Sequence, residues 1–101
     1  LACHAKGYEN RNLRTVWTIA TQPYPEAHFA TFPEEIPSRC IKAGSKPGDL
    51  VLDPFAGSGT TLAVAKSLGR RHVGCELNPE YVKLIEKRLA GVDRPLFAEA
   101  F

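Results

Sequence analysis

The run Asp53-Pro54-Phe55-Ala56-Gly57-Ser58-Gly59-Thr60-Thr61 follows directly on Leu50-Val51-Leu52, and no other stretch constrains the chain as strongly. The apolar triplet reads as a strand buried on both faces of a parallel sheet. Gly57 and Gly59 lack a Cβ, so the backbone after that strand can take positive φ and approach a ligand closely. Leu62, Ala65 and Leu68 then recur on one helical face, and Gly69 suits a left-handed helix end. His72-Val73-Gly74-Cys75 reads as the next strand, with Glu76 at its end. That is where nucleotide-binding α/β folds place the acid that receives ribose hydroxyls, about 20 residues beyond the turn. Asn78 as N-cap, Pro79 at the first helical position and Glu80 in the first turn open a further helix, carried by Val82, Ile85 and Leu89 and closed by Gly91. The expected core is β-α-β-α with parallel strands, an α/β fold.

Related glycine turns do not fit the letters. A dinucleotide fingerprint needs a third glycine where Leu62 stands, and a phosphate-binding P-loop needs Gly-Lys-Ser/Thr where Gly59 is followed by Thr60 and Thr61. A hydrolase nucleophile elbow around Ser58 needs glycines where Ala56 and Thr60 stand. A ligand-free tight turn leaves the spacing of Asp53, the two glycines and Glu76 unexplained. The turn therefore reads as the cradle of a nucleoside-bearing cofactor.

Upstream signals are weaker. Residues 1–15 show little periodicity and read as loop, beginning abruptly as if part-way through a larger architecture. Thr15–Thr21 is β-branched and aromatic and stops at Gln22-Pro23-Tyr24-Pro25, so a short strand and turn are expected, with Trp17 a core candidate. A helix through Ile36, Cys40 and Ile41 follows, with Pro37 early and Gly44 just past its end. Residues 92–101 read as a terminal extension.

A chain of 101 residues with 44% hydrophobic and 24% charged content suits one domain, yet it is short for an enzyme that must hold both a cofactor and a polymer. The net charge of +2 carries no nucleic-acid footprint of its own. Two basic clusters, Lys66 with Arg70, Arg71 and His72, and Lys83 with Lys87 and Arg88, read as solvated helix faces and helix C-termini. Cys3, Cys40 and Cys75 lack metal-ligand spacing, so reduced thiols and no metal are expected. No apolar run approaches bilayer length, and a cytoplasmic location without membrane contact is expected.

With these residues in view, DPFAGSGTT resembles the S-adenosylmethionine motif of DNA amino-methyltransferases, which act on adenine N6 or cytosine N4. HFATFP at 28–33 is similar to that family's separate cofactor segment, GCELNPEYV at 74–82 to its ribose-binding acid and following helix, and VWTIAT to the strand before it. The resemblance covers residues 12–97 and implies a partial Rossmann-like methyltransferase fold. It makes residues 1–27 the end of a target-recognition or linker region with one strand, and residues 28–101 the carboxyl-terminal cofactor part, in enzymes whose catalytic half comes first. Carried over by residue, it implies cofactor contacts from His28, Ala30 and Thr31, from Asp53, Pro54, Phe55, Ala56, Gly57, Ser58, Gly59 and Thr60, and from Glu76. Asn78 is implied near the adenine, beside its main role as N-cap, while Phe29 and Phe32 shape the pocket or belong to the core.

The resemblance also implies transfer of a methyl group to an exocyclic amine of a base swung out of double-stranded DNA. The Asp/Asn/Ser-Pro-Pro-aromatic tetrapeptide that holds the amine in such enzymes is absent, so no catalytic residue is assigned. A Pro-Cys nucleophile is absent too, since Ala2, Arg39 and Gly74 precede the cysteines. The chain alone is expected to be inactive and to need a catalytic half or partner chain. Exposed sheet edge favours self-association. The alternative is an inactive remnant or regulatory module acting through protein contacts.

Overall fold

The computed structural model describes residues 2–5, 8–10, 14–22 and 31–94. The element order is β1 (Ala2–Ala5), β2 (Tyr8–Asn10), α1 (Glu35–Gly44), β3 (Leu50–Asp53), α2 (Thr60–Ser67), β4 (Arg71–Gly74) and α3 (Pro79–Ala90). β3 and β4 pair in parallel, Leu50 opposite Arg71 and Asp53 opposite Gly74, so β3-α2-β4-α3 is the expected β-α-β-α core.

The helix ends follow the sequence signals. The Asn78 side chain accepts from the Glu80 N–H at 3.0 Å, which satisfies one orphan donor of α3 and is worth about 1 kcal/mol. Gly69 is left-handed, φ 78°, where α2 turns into β4. Gly91 caps α3 with φ −85° instead. Pro37 lies in the first turn of α1, where a missing N–H costs no helical bond.

α2 is central. Leu62, Ala63, Val64 and Ala65 are all buried, so the expected single apolar face is replaced by two. Val64 and Ala65 pack with Ile41, Val51 and Leu68, whereas Leu62 packs with Ala56, Ile85 and Leu89. Gly74 permits the second cluster, since a Cβ there would sit 2.5 Å from Leu62 Cδ1.

Other expectations are corrected. Leu50 and Leu52 are 54% and 62% exposed rather than buried on both faces. Pleating turns Val51, not these two, into the cluster between α1 and α2, and in a two-stranded sheet no further layer among the described residues covers their side. Residues 14–22 contain no strand, because β propensity requires a partner and among the described residues none pairs with them. Antiparallel pairing falls instead on β1 and β2, within the segment expected to be loop. Trp17 is half-buried beneath the Arg39 guanidinium, 5.2 Å from its ring centre, and its indole N–H donates to the Arg14 carbonyl at 2.7 Å.

The basic clusters are solvated only in part: Arg71, Lys83 and Lys87 are exposed, whereas other members turn inward. Arg70 is 7% exposed and ties the end of α1 to the end of α2, donating to the Ser45 hydroxyl at 3.0 Å and to the Ser45 and Leu68 carbonyls at 2.8 Å. Lys66 donates to the Leu89 carbonyl at 2.7 Å, so it serves the C-terminus of α3 rather than its own helix. Both are drawn inward because helix-end carbonyls need donors.

Candidate nucleoside-binding site

The backbone ladder of β3 and β4 continues into the loops that form the site. The Cys75 N–H donates to the Asp53 carbonyl at 3.0 Å, and the Ala56 N–H donates to the Cys75 carbonyl at 2.9 Å. Glu76 is thereby delivered beside the glycine turn. Gly57 and Gly59 take φ 56° and 83°, the left-handed region that their lack of a Cβ allows.

The Glu76 carboxylate organises the mouth of this turn. One oxygen accepts from the Gly57 N–H at 2.8 Å, and the other from the Asn78 N–H at 3.0 Å. Each carboxylate oxygen has capacity for a second donor, so the group is oriented by backbone yet still able to receive hydroxyls. Phe55, 88% exposed, and Leu77, fully exposed, flank it and with Val82 border a cleft of about 550 Å³. A fixed acceptor between apolar side chains matches a nucleoside, whose sugar donates and whose base prefers apolar contact. The residues present therefore fit such a group.

The remaining expected residues divide between the mouth of the turn, its back and the flanking segments. Asp53 and Pro54 stand at the mouth, where Asp53 Oδ1 accepts from the Phe55 N–H at 3.0 Å and folds the start of the turn. Ala56, Ser58, Gly59 and Thr60 lie behind it, 3–5% exposed for Ala56, Ser58 and Thr60, with the two hydroxyls 3.3 Å apart and facing inward. Asn78 is half-buried, its side chain committed to the cap. Thr31 is half-buried, and Phe32 borders a separate cavity of about 450 Å³ between α1 and β3. His28, Phe29 and Ala30 lie outside the described residues.

The sequence reads Arg88 as part of a solvated helix face or helix C-terminus; it does lie in the last turn of α3, but its side chain is only 13% exposed and reaches Thr60 Oγ1 at 2.9 Å and Glu34 Oε1 at 3.0 Å. Its one sequence signal is its place on the same helix as the buried Ile85. Cys40 and Cys75 are exposed free thiols, and no cluster of metal-ligating side chains exists among the described residues. No helix among them is long and apolar enough to cross a membrane.

The chain is similar to known proteins over most of its length. The chain is 57% identical over 83 residues to the Type II methyltransferase M.Cfr9I of Citrobacter freundii, covering 82% of this chain and 28% of that protein. It superposes on the complex of M1.HpyAVI with S-adenosylmethionine with TM-score 0.68 and 31% identity, over 78% of this chain and 39% of the other. On the cytosine-N4-specific PvuII DNA methyltransferase the TM-score is 0.61 at 37% identity, over 74% of this chain and 26% of the other. The chain thus spans roughly a quarter to two fifths of these proteins' lengths. These likenesses show the partial Rossmann-like methyltransferase fold. The model of the N6/N4 DNA methylases matches residues 4–87, and the chain belongs to that family.

Proposed function

We propose that this chain is the S-adenosylmethionine-binding part of a DNA methyltransferase acting on the exocyclic amine of adenine (N6) or cytosine (N4). The observation that carries the reading is Glu76, held by the Gly57 and Asn78 N–H groups beside an apolar cleft. Its remaining lone pairs would accept the ribose hydroxyls, and Phe55 and Leu77 would cover the adenine. Asp53, Pro54 and the half-buried backbone of Gly57 would meet the methionine end, with Thr31 and, by resemblance, His28 and Ala30 closing it. Ala56, Ser58, Gly59 and Thr60 would act through backbone and by holding the turn's shape. When bound, S-adenosylmethionine supplies an electrophilic methyl group.

This chain's residues would fix the donor, and fixing it is a large share of what such a transfer requires, because orientation removes much of the entropic barrier. The acceptor must be held elsewhere, since the sequence contains no Asp/Asn/Ser-Pro-Pro-aromatic tetrapeptide. Double-stranded DNA, with its base extruded, is therefore engaged through a catalytic half that completes the site. In the decisive experiment the chain is combined with a polypeptide bearing the tetrapeptide, and transfer of labelled methyl to DNA is measured. Product only in the combined sample is expected, and its absence there counts against the proposal.

A further inference from the structure

The glycine turn is braced from behind by α3. Arg88 Nη1 donates to Thr60 Oγ1 at 2.9 Å and reaches Ser58 Oγ at 3.5 Å, while Nη2 donates to Glu34 Oε1 at 3.0 Å. Ser58 and Thr60 are 4% and 3% exposed, so their hydroxyls depend on protein partners rather than water. Glu34 follows Thr31, Phe32 and Pro33 directly, and its N–H is itself anchored on the Gln22 side chain at 3.0 Å. A planar guanidinium with donors in a fixed fork can hold both groups at once, whereas an ammonium is a single point.

We propose that Arg88 is a positioning residue that clasps residues 31–34 to the glycine turn, holding the two parts of the cofactor site in register. The inference rests on the cofactor reading above. Arg88 acts through Thr60, Ser58 and Glu34 rather than by touching the ligand. One side chain thus joins segments 28 and 54 residues away from it.

Hydrogen exchange and calorimetric titration with S-adenosylmethionine, on wild type, Arg88→Lys, Glu34→Gln and the double variant, test this. The Gly57 and Gly59 amides, bonded to Glu76 and to the Ala56 carbonyl, report on the turn, and the Ile36 amide, bonded to the Pro33 carbonyl, reports on the upstream segment. Arg88→Lys is expected to speed exchange at all three and to weaken S-adenosylmethionine binding, each by about tenfold. Glu34→Gln, which leaves α3 intact, is expected to act in the same direction and to add nothing in the Arg88→Lys background. Exchange at Gly57 and Gly59 within about twofold of wild type in both single variants, with changes confined to α3 or to residues 34–36, overturns the clasp. A wild-type chain that gives no binding heat overturns the cofactor reading instead, and the exchange data still decide the clasp.

Discussion

Gly59→Ala probes the turn with the sharpest contrast. Gly59 is buried at φ 83°, where an L-residue with a Cβ is strained by about 1–2 kcal/mol. The added Cβ would lie 2.9 Å from Ile85 Cγ1 and 3.2 Å from Cγ2. Those atoms cannot swing aside, because a β-branched side chain on a helix has one strongly preferred rotamer. Overpacking of this kind costs about 1–3 kcal/mol, partly offset by about 0.4–1 kcal/mol from the stiffer unfolded chain. The expected net loss is about 3 kcal/mol, large against the roughly 5–15 kcal/mol that stabilises a domain. Urea unfolding should show a lower midpoint with an unchanged slope. In an Ile85→Ala background the steric part disappears while the φ strain and the unfolded-chain offset stay, so Gly59→Ala should cost only about 1 kcal/mol there. A single variant within about 0.5 kcal/mol of wild type would refute both the left-handed turn and its packing on α3.

Asn78→Ala removes the acceptor of the Glu80 N–H and should lower stability by about 0.5–2 kcal/mol, read from the urea midpoint. Arg70→Met leaves the Ser45 and Leu68 carbonyls without their buried donor and should cost about 2–4 kcal/mol, with fast hydrogen exchange spreading from the end of α1. The His72 imidazole is held below its ordinary value of 6.5, first by burial and then by Lys66 and Arg94. The unfolded chain binds that proton more readily, so the contribution of neutral His72 is complete above 6.5 and is lost as pH falls through the lower folded value. Thermal unfolding of wild type should therefore lose more between about pH 8 and pH 5.5 than that of His72→Gln.

What sequence reveals here is local, and what it hides is pairing at a distance. Asn78-Pro79-Glu80, Gly69 and the positive-φ pair Gly57 and Gly59 state their roles within a few residues, because caps and turns are satisfied by neighbouring backbone. Glu76 is legible one step further, since the β-α-β geometry fixes where the end of β4 meets the turn. Arg88 and Arg70 look like surface charge in the sequence, and their partners lie 54 and 25 residues away, in contacts no periodicity encodes. Thr15–Thr21 shows the opposite failure, strand composition without a strand to pair with. The openness of Leu50 and Leu52 has the same origin, for a buried-looking strand is buried only where a second layer covers it.

On the proposed function, the glycine turn and Glu76 together bind S-adenosylmethionine. Isothermal titration of the chain and of Glu76→Ala, with far-ultraviolet circular dichroism confirming that the variant keeps its helices, tests it directly. Saturable one-site binding by wild type, weakened at least about tenfold in Glu76→Ala, is the result expected when hydrogen bonds to a charged acceptor are lost. Equal affinity in the two proteins, or no heat from the folded wild type, would contradict the claim.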